Sequence, residues 1–226
     1  MKYPVVFALS LASALSLAGQ VLAQDIKLDE PQAKVGLDLL DTIKARVAMK
    51  TFVKRDIPLS DLSTILWAGN GLKGVDAVSG ASTAGRTIPY SGGNDYMKVY
   101  VLTSEGVYLY VPEERLLRQT SKGDARALVT PQNIETASLM ILFTFDADTM
   151  ELLLKSFLSK FPTIYRDVGN STASFAAENI MLAAAAFGLG SIVMYNIMPA
   201  ASFAQVVKLG SEESPLFIVE LGYLEQ

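Results

Sequence analysis

The chain has 226 residues, half of them hydrophobic, and carries a net charge of −4 at pH 7. It contains no histidine and no cysteine, which excludes disulfides, Ser-His-Asp and Cys-His nucleophile systems, and metal sites built from imidazole or thiolate ligands. A mildly acidic chain without a basic patch predicts no binding to nucleic acid, and no metal site is predicted. If the protein is an enzyme, we expect a cofactor to supply its reactive group.

Residues 1–23 have the pattern of a secretory signal peptide. An early lysine precedes an apolar run from Val5 to about Leu17, and Val21 and Ala23 supply the small residues expected ahead of a cut before Gln24. The alternative is an N-terminal membrane anchor that is retained. Removal of the signal predicts a periplasmic or secreted protein with no stable insertion in a membrane.

Residues 24–36 are polar and contain Pro31, which predicts a linker or an extended N-terminal arm before a single domain over residues 37–226. Helical and strand periodicities alternate within that domain. Because one pair of strands forms a hairpin, the sheet is not purely parallel, and the predicted fold class is α+β. The predicted elements are, in chain order, a helix over 37–52, a helix with Ser60 as N-cap that stops at Gly69 to Gly71, a loop over 73–85, a hairpin over 97–111, short helices over 123–129 and 130–137, a buried strand over 138–145, helices over 148–161 and 171–187, a strand over 192–195, a helix over 200–209 and a strand over 216–223.

The stretch "AENIMLAAAAFGLGSIVMYN", residues 177–196, is nearly uncharged and rich in alanine. Its uncharged part from Ile180 to Met194 is about fifteen residues long, which is shorter than the roughly 20 that a membrane-spanning helix needs. Gly188 and Gly190 also interrupt it. We therefore predict a buried helix that ends at a glycine turn.

Four segments of the chain resemble, in the same order and at similar spacing, the nitroreductase-like flavoprotein family. The resemblance is strongest to the short exported members of its SagB-type dehydrogenase branch, and it extends from about Leu37 to Tyr223. The segments are "ARVAMKTF", "LSDLSTILWAGNG", "RTIPYSGGNDYMKVYVL" and "AENIMLAAAAFGLGS".

The resemblance implies a sandwich in which helices flank a central, mostly antiparallel sheet. It also implies an intertwined homodimer with one FMN in each of two sites at the subunit interface. The implied function is an exported FMN-dependent oxidoreductase that moves hydride or electrons through the flavin to or from a small organic substrate. Two alternatives remain open: a protein that binds a flavin or another planar ligand without turnover, and a cofactor-free structural or interaction dimer.

The first segment carries the residues that the resemblance assigns to the FMN phosphate. Arg46 and Lys50 fall at phosphate-binding positions, and within a helix their spacing of four places both on one face. The alternative interpretation is a solvated basic face. Ala48 stands where the family has a serine, so one hydroxyl donor to the phosphate is missing.

The third segment matches the stretch that lines the flavin ring in the family. Pro89, Tyr90, Ser91 and Gly92 occupy these positions, and Tyr90 replaces a serine. Its ring can stack on the flavin or substrate, or it can fill the pocket. Just before this stretch, Arg86 is interpreted as a surface residue, with attraction of an anionic substrate as the alternative.

The fourth segment leads to Met194, Tyr195 and Asn196, where relatives bring backbone amides to the flavin. Asn196 stands where relatives have glycine, and its side chain either contacts the cofactor or caps the helix that follows Pro199. Trp67, the one tryptophan, is predicted to pack in the core. No catalytic side chain is assigned.

Overall fold

The computed structural model describes residues 24–73, 85–90, 96–129, 136–150, 152–195 and 200–225. In these ranges seven strands form one sheet in the order β1-β4-β3-β2-β5-β7-β6, and each neighbouring pair is antiparallel. The predicted α+β class is therefore confirmed. The strands are β1 (Ile26–Lys27), β2 (Met97–Leu102), β3 (Gly106–Val111), β4 (Leu116–Lys122), β5 (Leu139–Asp146), β6 (Leu189–Met194) and β7 (Glu213–Tyr223). The helices are α1 (Leu39–Ala45), α2 (Leu59–Asn70), α3 (Arg126–Val129), α4 (Leu152–Leu158), α5 (Pro162–Ala186) and α6 (Ala200–Val207).

Helices cover both faces of the sheet, and β5 lies in the middle between β2 and β7. All eight residues of β5 are buried, which explains why its sequence is apolar without alternation. On one face the core contains Ile65 of α2 and Ile180 of α5. On the other face Phe203 and Val207 of α6 pack against the sheet.

The alanine-rich stretch belongs to α5, a helix of 25 residues that packs against α2. A Cβ atom added at Gly69 of α2 would lie 2.5 Å from Cγ1 and Cδ1 of Ile180, so the two helices approach closely. The helix begins at Pro162, nine residues before the predicted start, with proline in its first turn. No helix in the described ranges is both long enough and apolar enough to cross a membrane.

The first predicted helix is shorter than expected, because α1 ends at Ala45. Arg46 has an extended backbone (φ −62°, ψ 118°), and the chain then runs beside β6. Leu39, Leu40 and Ile43 of α1 are at least half exposed, so the apolar periodicity of this helix reflects a surface and not the core of this chain.

The start of α2 and the end of α5 also differ from the prediction. Helix α2 begins after Pro58, and Ser60 is not its N-cap, since its hydroxyl donates to Asp61 at 3.2 Å. After α5, Gly188 alone adopts a left-handed φ of +75°. Strand β6 then begins at Leu189, three residues earlier than predicted.

Two strands, β1 and β4, were not predicted. Ile26 pairs with Leu117 at the edge of the sheet, and the backbone N–H groups of Asp29 and Gln32 donate to the hydroxyls of Ser63 and Thr64 on α2. Within the described structure, residues 24–32 form an extended arm bound to the domain. The predicted helix over 130–137 and the loop over 73–85 fall largely outside the described residues.

Candidate flavin site

The segment that carries Arg46, Ala48 and Lys50 lies along the edge strand β6. Ala48 pairs with Ser191 in a parallel bridge, and the Met49 N–H donates to the Ser191 carbonyl at 3.1 Å. Arg46 and Lys50 therefore do not share a helical face. They are placed instead by backbone bonds to the strand that leads to Met194. Two separate segments assigned to the flavin are thus side by side in the structure.

Close packing around Gly190 fixes this segment against the strand. A Cβ atom at Gly190 would lie 3.0 Å from Cγ of Met49 and 2.4 Å from Cδ2 of Leu224. Only a residue without a side chain allows both contacts. The glycine predicted as part of a turn is therefore a strand residue that lets the chain around Ala48 approach β6.

Both cations of this segment are available to an anion. Arg46 is half-buried and Lys50 is exposed. Within the described ranges, neither side chain makes an ion pair or a hydrogen bond. Ala48, where the resemblance leads us to expect a serine hydroxyl, is also exposed. No side chain of the described residues is packed over this position.

The described part of the predicted ring-lining stretch is Pro89 and Tyr90, and Ser91 and Gly92 lie outside the described residues. Pro89 is exposed, whereas Tyr90 is half-buried and packs against Tyr96 with ring centroids 5.0 Å apart. The Tyr90 hydroxyl donates to the Met97 carbonyl at 3.1 Å and accepts from the Met97 N–H at 3.2 Å. The structure therefore anchors this side chain at the start of β2 and uses its hydroxyl there.

Arg86 is buried, so its interpretation as a surface residue was wrong. Only 7% of it is exposed, and its guanidinium donates to the backbone and side-chain oxygens of Asn70 and to Glu113 at 2.8 Å. The partners come from the end of α2 and from the turn between β3 and β4. A guanidinium held in this way is not available to attract a substrate from solution.

Trp67 is only half-buried and lies on the surface side of α2, so the prediction of core packing was wrong. Its indole N–H donates to the Leu72 carbonyl at 2.8 Å. The ring borders a cleft of about 420 Å³ together with Pro31 and Pro112.

Met194 and Tyr195 lie at the end of β6, and Asn196 is outside the described residues. Met194 is 9% exposed, and its side chain belongs to the core under α6. Tyr195 is 74% exposed, and its ring centroid lies 5.6 Å from that of Phe217. The exposed phenol of Tyr195 therefore lies at the end of the sheet where β6 ends.

The end of β6 and the start of β2 lie at the same end of the sheet. Met97 pairs with Phe145, Asp146 pairs with Glu213, and Met194 pairs with Ile218. Two strands, β5 and β7, separate β2 from β6, and Met194 pairs four residues further along β7 than the level of Met97. The two parts of the predicted site therefore lie at the same end of the sheet but are not in contact through these strands.

A buried charge cluster at this same end was not predicted. Lys98 forms ion pairs with Asp146 and Glu213, which are 7% and 1% exposed at their side chains. Burial alone would lower the pKa of Lys98, but the hydrogen bond to Asp146 and the charges of both carboxylates together raise it. Burial and the nearby Glu213 raise the pKa of Tyr100. The sequence signal was a lysine inside an apolar strand, which requires a buried partner.

The fold is thus an antiparallel sheet with helices on both faces, and the segment that carries Arg46 and Lys50 lies against its edge strand β6. The sequence profile of the nitroreductase family matches residues 43–223, and the chain belongs to that family. No curated protein that was compared with the chain matches it.

Three solved structures show how closely the fold is shared. A crystal structure described as a nitroreductase from Ralstonia eutropha is 25% identical, with a TM-score of 0.73 over 89% of this chain and 90% of that one. Another nitroreductase structure, from Anabaena variabilis, is 17% identical, with a TM-score of 0.67 over 90% of this chain and 42% of that one. The NADPH:FMN oxidoreductase from Vibrio harveyi, solved with NAD+, is 18% identical, with a TM-score of 0.55 over 83% and 69%.

Proposed function

We propose that this protein is an exported FMN-dependent oxidoreductase of the SagB-type branch that acts as a homodimer on a small organic substrate. The observation that carries the proposal is the basic segment of Arg46 and Lys50, which the bridge from Ala48 to Ser191 places beside the strand leading to Tyr195. Membership of the nitroreductase family supports it, as does the likeness in fold to an NADPH:FMN oxidoreductase.

The side chains present fit the phosphate of FMN. A phosphate dianion requires charge-assisted donors, and Arg46 and Lys50 have no ionic partner in the described ranges. Arginine offers a planar fork of donors, and lysine adds a flexible point charge. The lost serine hydroxyl at Ala48 weakens the site but leaves both charges in place.

FMN, when bound, supplies the redox chemistry that this chain's own side chains lack. Arg46 and Lys50 would bind its phosphate, and Pro89 and Tyr90 would line its ring. Tyr195 is the one exposed phenol of the described site residues that can hold or release a proton, because the Tyr90 hydroxyl is committed to Met97. Tyr195 is therefore our candidate to contact the substrate.

The proposed homodimer is supported by an apolar surface on α1, α4 and α5. Its members are exposed by 44% to 67%: Leu39, Leu40, Ile43, Phe157, Phe161, Ile164 and Phe175. Helices α1 and α4 both contact α5, and exposed apolar residues on neighbouring helices are typical of an interface. A symmetric dimer would cover it, and it would allow the Tyr90 segment of one copy to lie beside the basic segment of the other.

The test is a comparison of two double variants that remove the same charge at opposite edges of the sheet. R46Q/K50Q changes the proposed site at β6, and K27Q/R118Q changes the far edge at β1 and β4, where both side chains bond to Glu114. We expect R46Q/K50Q to weaken FMN binding at least a hundredfold, because hydrogen bonds to charged groups contribute about 1.5–3 kcal/mol each. The control should bind FMN as wild type does.

Turnover is then tested on the wild-type complex with a panel of organic donors and quinone or nitroaromatic acceptors under anaerobic conditions. The proposal predicts that at least one donor bleaches the flavin and that an acceptor restores its colour. Equal FMN affinity of both double variants contradicts the phosphate site. Bound FMN that no donor reduces contradicts the oxidoreductase and indicates a binding protein on the same scaffold.

A further inference from the structure

We infer that Arg86 is a positioning residue that fixes the Pro89–Tyr90 segment of the FMN site. The inference rests on the proposed function, since it assigns Arg86 a role at that same site. Arg86 acts through Tyr90 and through the backbone on either side of it, not by contact with a ligand.

The first observation is that Arg86 joins three separate parts of the chain. Its Nη1 atom donates to the Asn70 carbonyl at 3.1 Å, and its Nη2 atom donates to Oε1 of Glu113 at 2.8 Å. Asn70 is the last residue of α2, and Glu113 follows β3. The Arg86 side chain is 6% exposed, whereas that of Glu113 is 51% exposed, so the guanidinium is enclosed and its orientation is set by these acceptors.

The backbone beside Arg86 is fixed to the same helix end. Arg86 bridges to Leu72, the Thr87 N–H donates to the Gly71 carbonyl at 3.0 Å, and the Gly71 N–H donates to the Thr87 hydroxyl at 3.1 Å. The close packing of Gly71 against Trp67, whose Cδ1 atom would be 2.2 Å from an added Cβ, leaves this backbone little freedom. The direction in which the chain enters Pro89 is therefore determined by Arg86 and α2 together.

Tyr90 connects this fixed backbone to the sheet. The guanidinium carbon of Arg86 lies 5.7 Å from the centroid of the Tyr90 ring, within the range of a cation–π contact. The ring also packs against the fully buried Tyr96, and its hydroxyl bonds to both the N–H and the carbonyl of Met97. Arg86 and the start of β2 thus both contact Tyr90. These contacts fix the backbone at Tyr90 and therefore the position of the adjoining Pro89.

Arg126 offers a matched control for the loss of a buried arginine. It is 9% exposed, donates twice to Asp124 and once to the Ala137 carbonyl, and lies at α3 on the opposite face of the sheet. Like Arg86 it pairs with one carboxylate and one backbone oxygen, but among the described residues no contact links it to the Pro89–Tyr90 segment. A purely structural role would give the two arginines the same consequences on removal.

The experiment compares R86M, R86K and R126M by amide hydrogen exchange without FMN and by FMN affinity, at a temperature where each variant is folded. We expect R86M to speed exchange at the Thr87 and Met97 amides, which bond to Gly71 and Tyr90, by tenfold or more. It should also raise the Kd for FMN about tenfold. R86K should fall between R86M and wild type, because lysine keeps the charge but not the planar fork. R126M should lose stability, but its amide exchange at this segment and its Kd for FMN should equal those of wild type. If R86M does not fold, R86K provides the test.

The exchange measurement needs no cofactor, so the two proposals fail separately. Wild-type protein that binds no FMN contradicts the proposed function, while exchange still tests whether Arg86 fixes the segment. Unchanged exchange at Thr87 and Met97 in the Arg86 variants overturns the inference. Faster exchange with unchanged FMN affinity overturns it as well, because the segment would then be ordered by Arg86 without contributing to the site.

Discussion

At the scale of single residues, Ala48 stands in the proposed phosphate segment, where the resemblance leads us to expect a serine. It is exposed and lies between the two free cations on the stretch bound to Ser191. A serine there would add a hydroxyl donor without steric cost. We expect A48S to tighten FMN binding about tenfold, since a hydrogen bond to a charged group contributes about 1.5–3 kcal/mol.

Titration of FMN by fluorescence quenching measures this change. A45S, which adds the same hydroxyl at the last residue of α1, is the control and should bind FMN as wild type does. If A48S binds FMN no more tightly than A45S does, Ala48 is not beside the phosphate.

The placement of three cations, Arg46, Lys50 and Arg86, could not be predicted from the sequence. Arg46 and Lys50 were assigned to the phosphate by resemblance. Their placement along β6 depends on the pairing of Ala48 with Ser191, which is distant in sequence and cannot be predicted from a local pattern. Arg86 was assigned to the surface because its partners, Asn70 and Glu113, are 16 and 27 positions away in the chain. A buried arginine depends on partners that are distant in sequence.

At the scale of elements, the contact between α2 and α5 depends on Gly69. A side chain there would collide with Ile180, which is fully buried and cannot move aside. We expect G69A to lower the free energy of unfolding by about 1–3 kcal/mol, as overpacked cores do. Urea denaturation measures it, and G69A/I180A should lose less stability than the sum of the losses of the two single variants.

G36A provides the comparison, because nothing lies within 4 Å of a Cβ atom at Gly36. It should leave stability unchanged or slightly higher. A G69A protein as stable as G36A would show that the two helices do not pack as closely as the structure indicates.

The Lys98 cluster joins β2, β5 and β7, and its stability contribution depends on pH. The pKa of Lys98 is raised in the folded protein above its ordinary value of 10.5. The contribution is therefore complete below that value and is lost as the pH rises through the folded pKa. The raised pKa of Tyr100 acts in the same direction, since the unfolded chain loses that proton first.

We expect K98M to cost about 3 kcal/mol near neutral pH, because it leaves two buried carboxylates without their cation. Wild type should lose stability steeply in the alkaline range, and K98M should lose less. Urea unfolding curves at neutral and alkaline pH check both statements. Parallel alkaline losses in the two proteins would contradict the assigned role of Lys98.

Elements differ in how far the sequence predicts them. The buried strand β5 and the hairpin of β2 and β3 were predicted because their patterns are local and strong. Strand β1 was missed, because a two-residue strand is stabilised only by the edge that it covers. Strand β4 was missed, because its sequence LLRQTSK has no apolar alternation after Leu117. The first helix was predicted too long, since apolar residues that face outward on α1 have the same periodicity as residues that face a core.

At the scale of the whole molecule, the exposed apolar surface of α1, α4 and α5 predicts self-association. L40E introduces a charge at a residue that is 67% exposed, so it should not disturb the fold of one chain but should separate a dimer into monomers. L128E, on α3 and 37% exposed, is the control and should remain a dimer. Sedimentation analysis distinguishes them, and an L40E protein with the mass of wild type would contradict this interface.

We propose that the chain from Gln24 onward binds one FMN. The most direct measurement is to purify the protein from Gln24 onward, add FMN, remove the excess on a sizing column and record the visible spectrum of the protein peak. We predict the two visible bands of oxidised flavin, one FMN per chain, at the elution volume of a dimer. A colourless protein peak with all FMN eluting separately would contradict the claim.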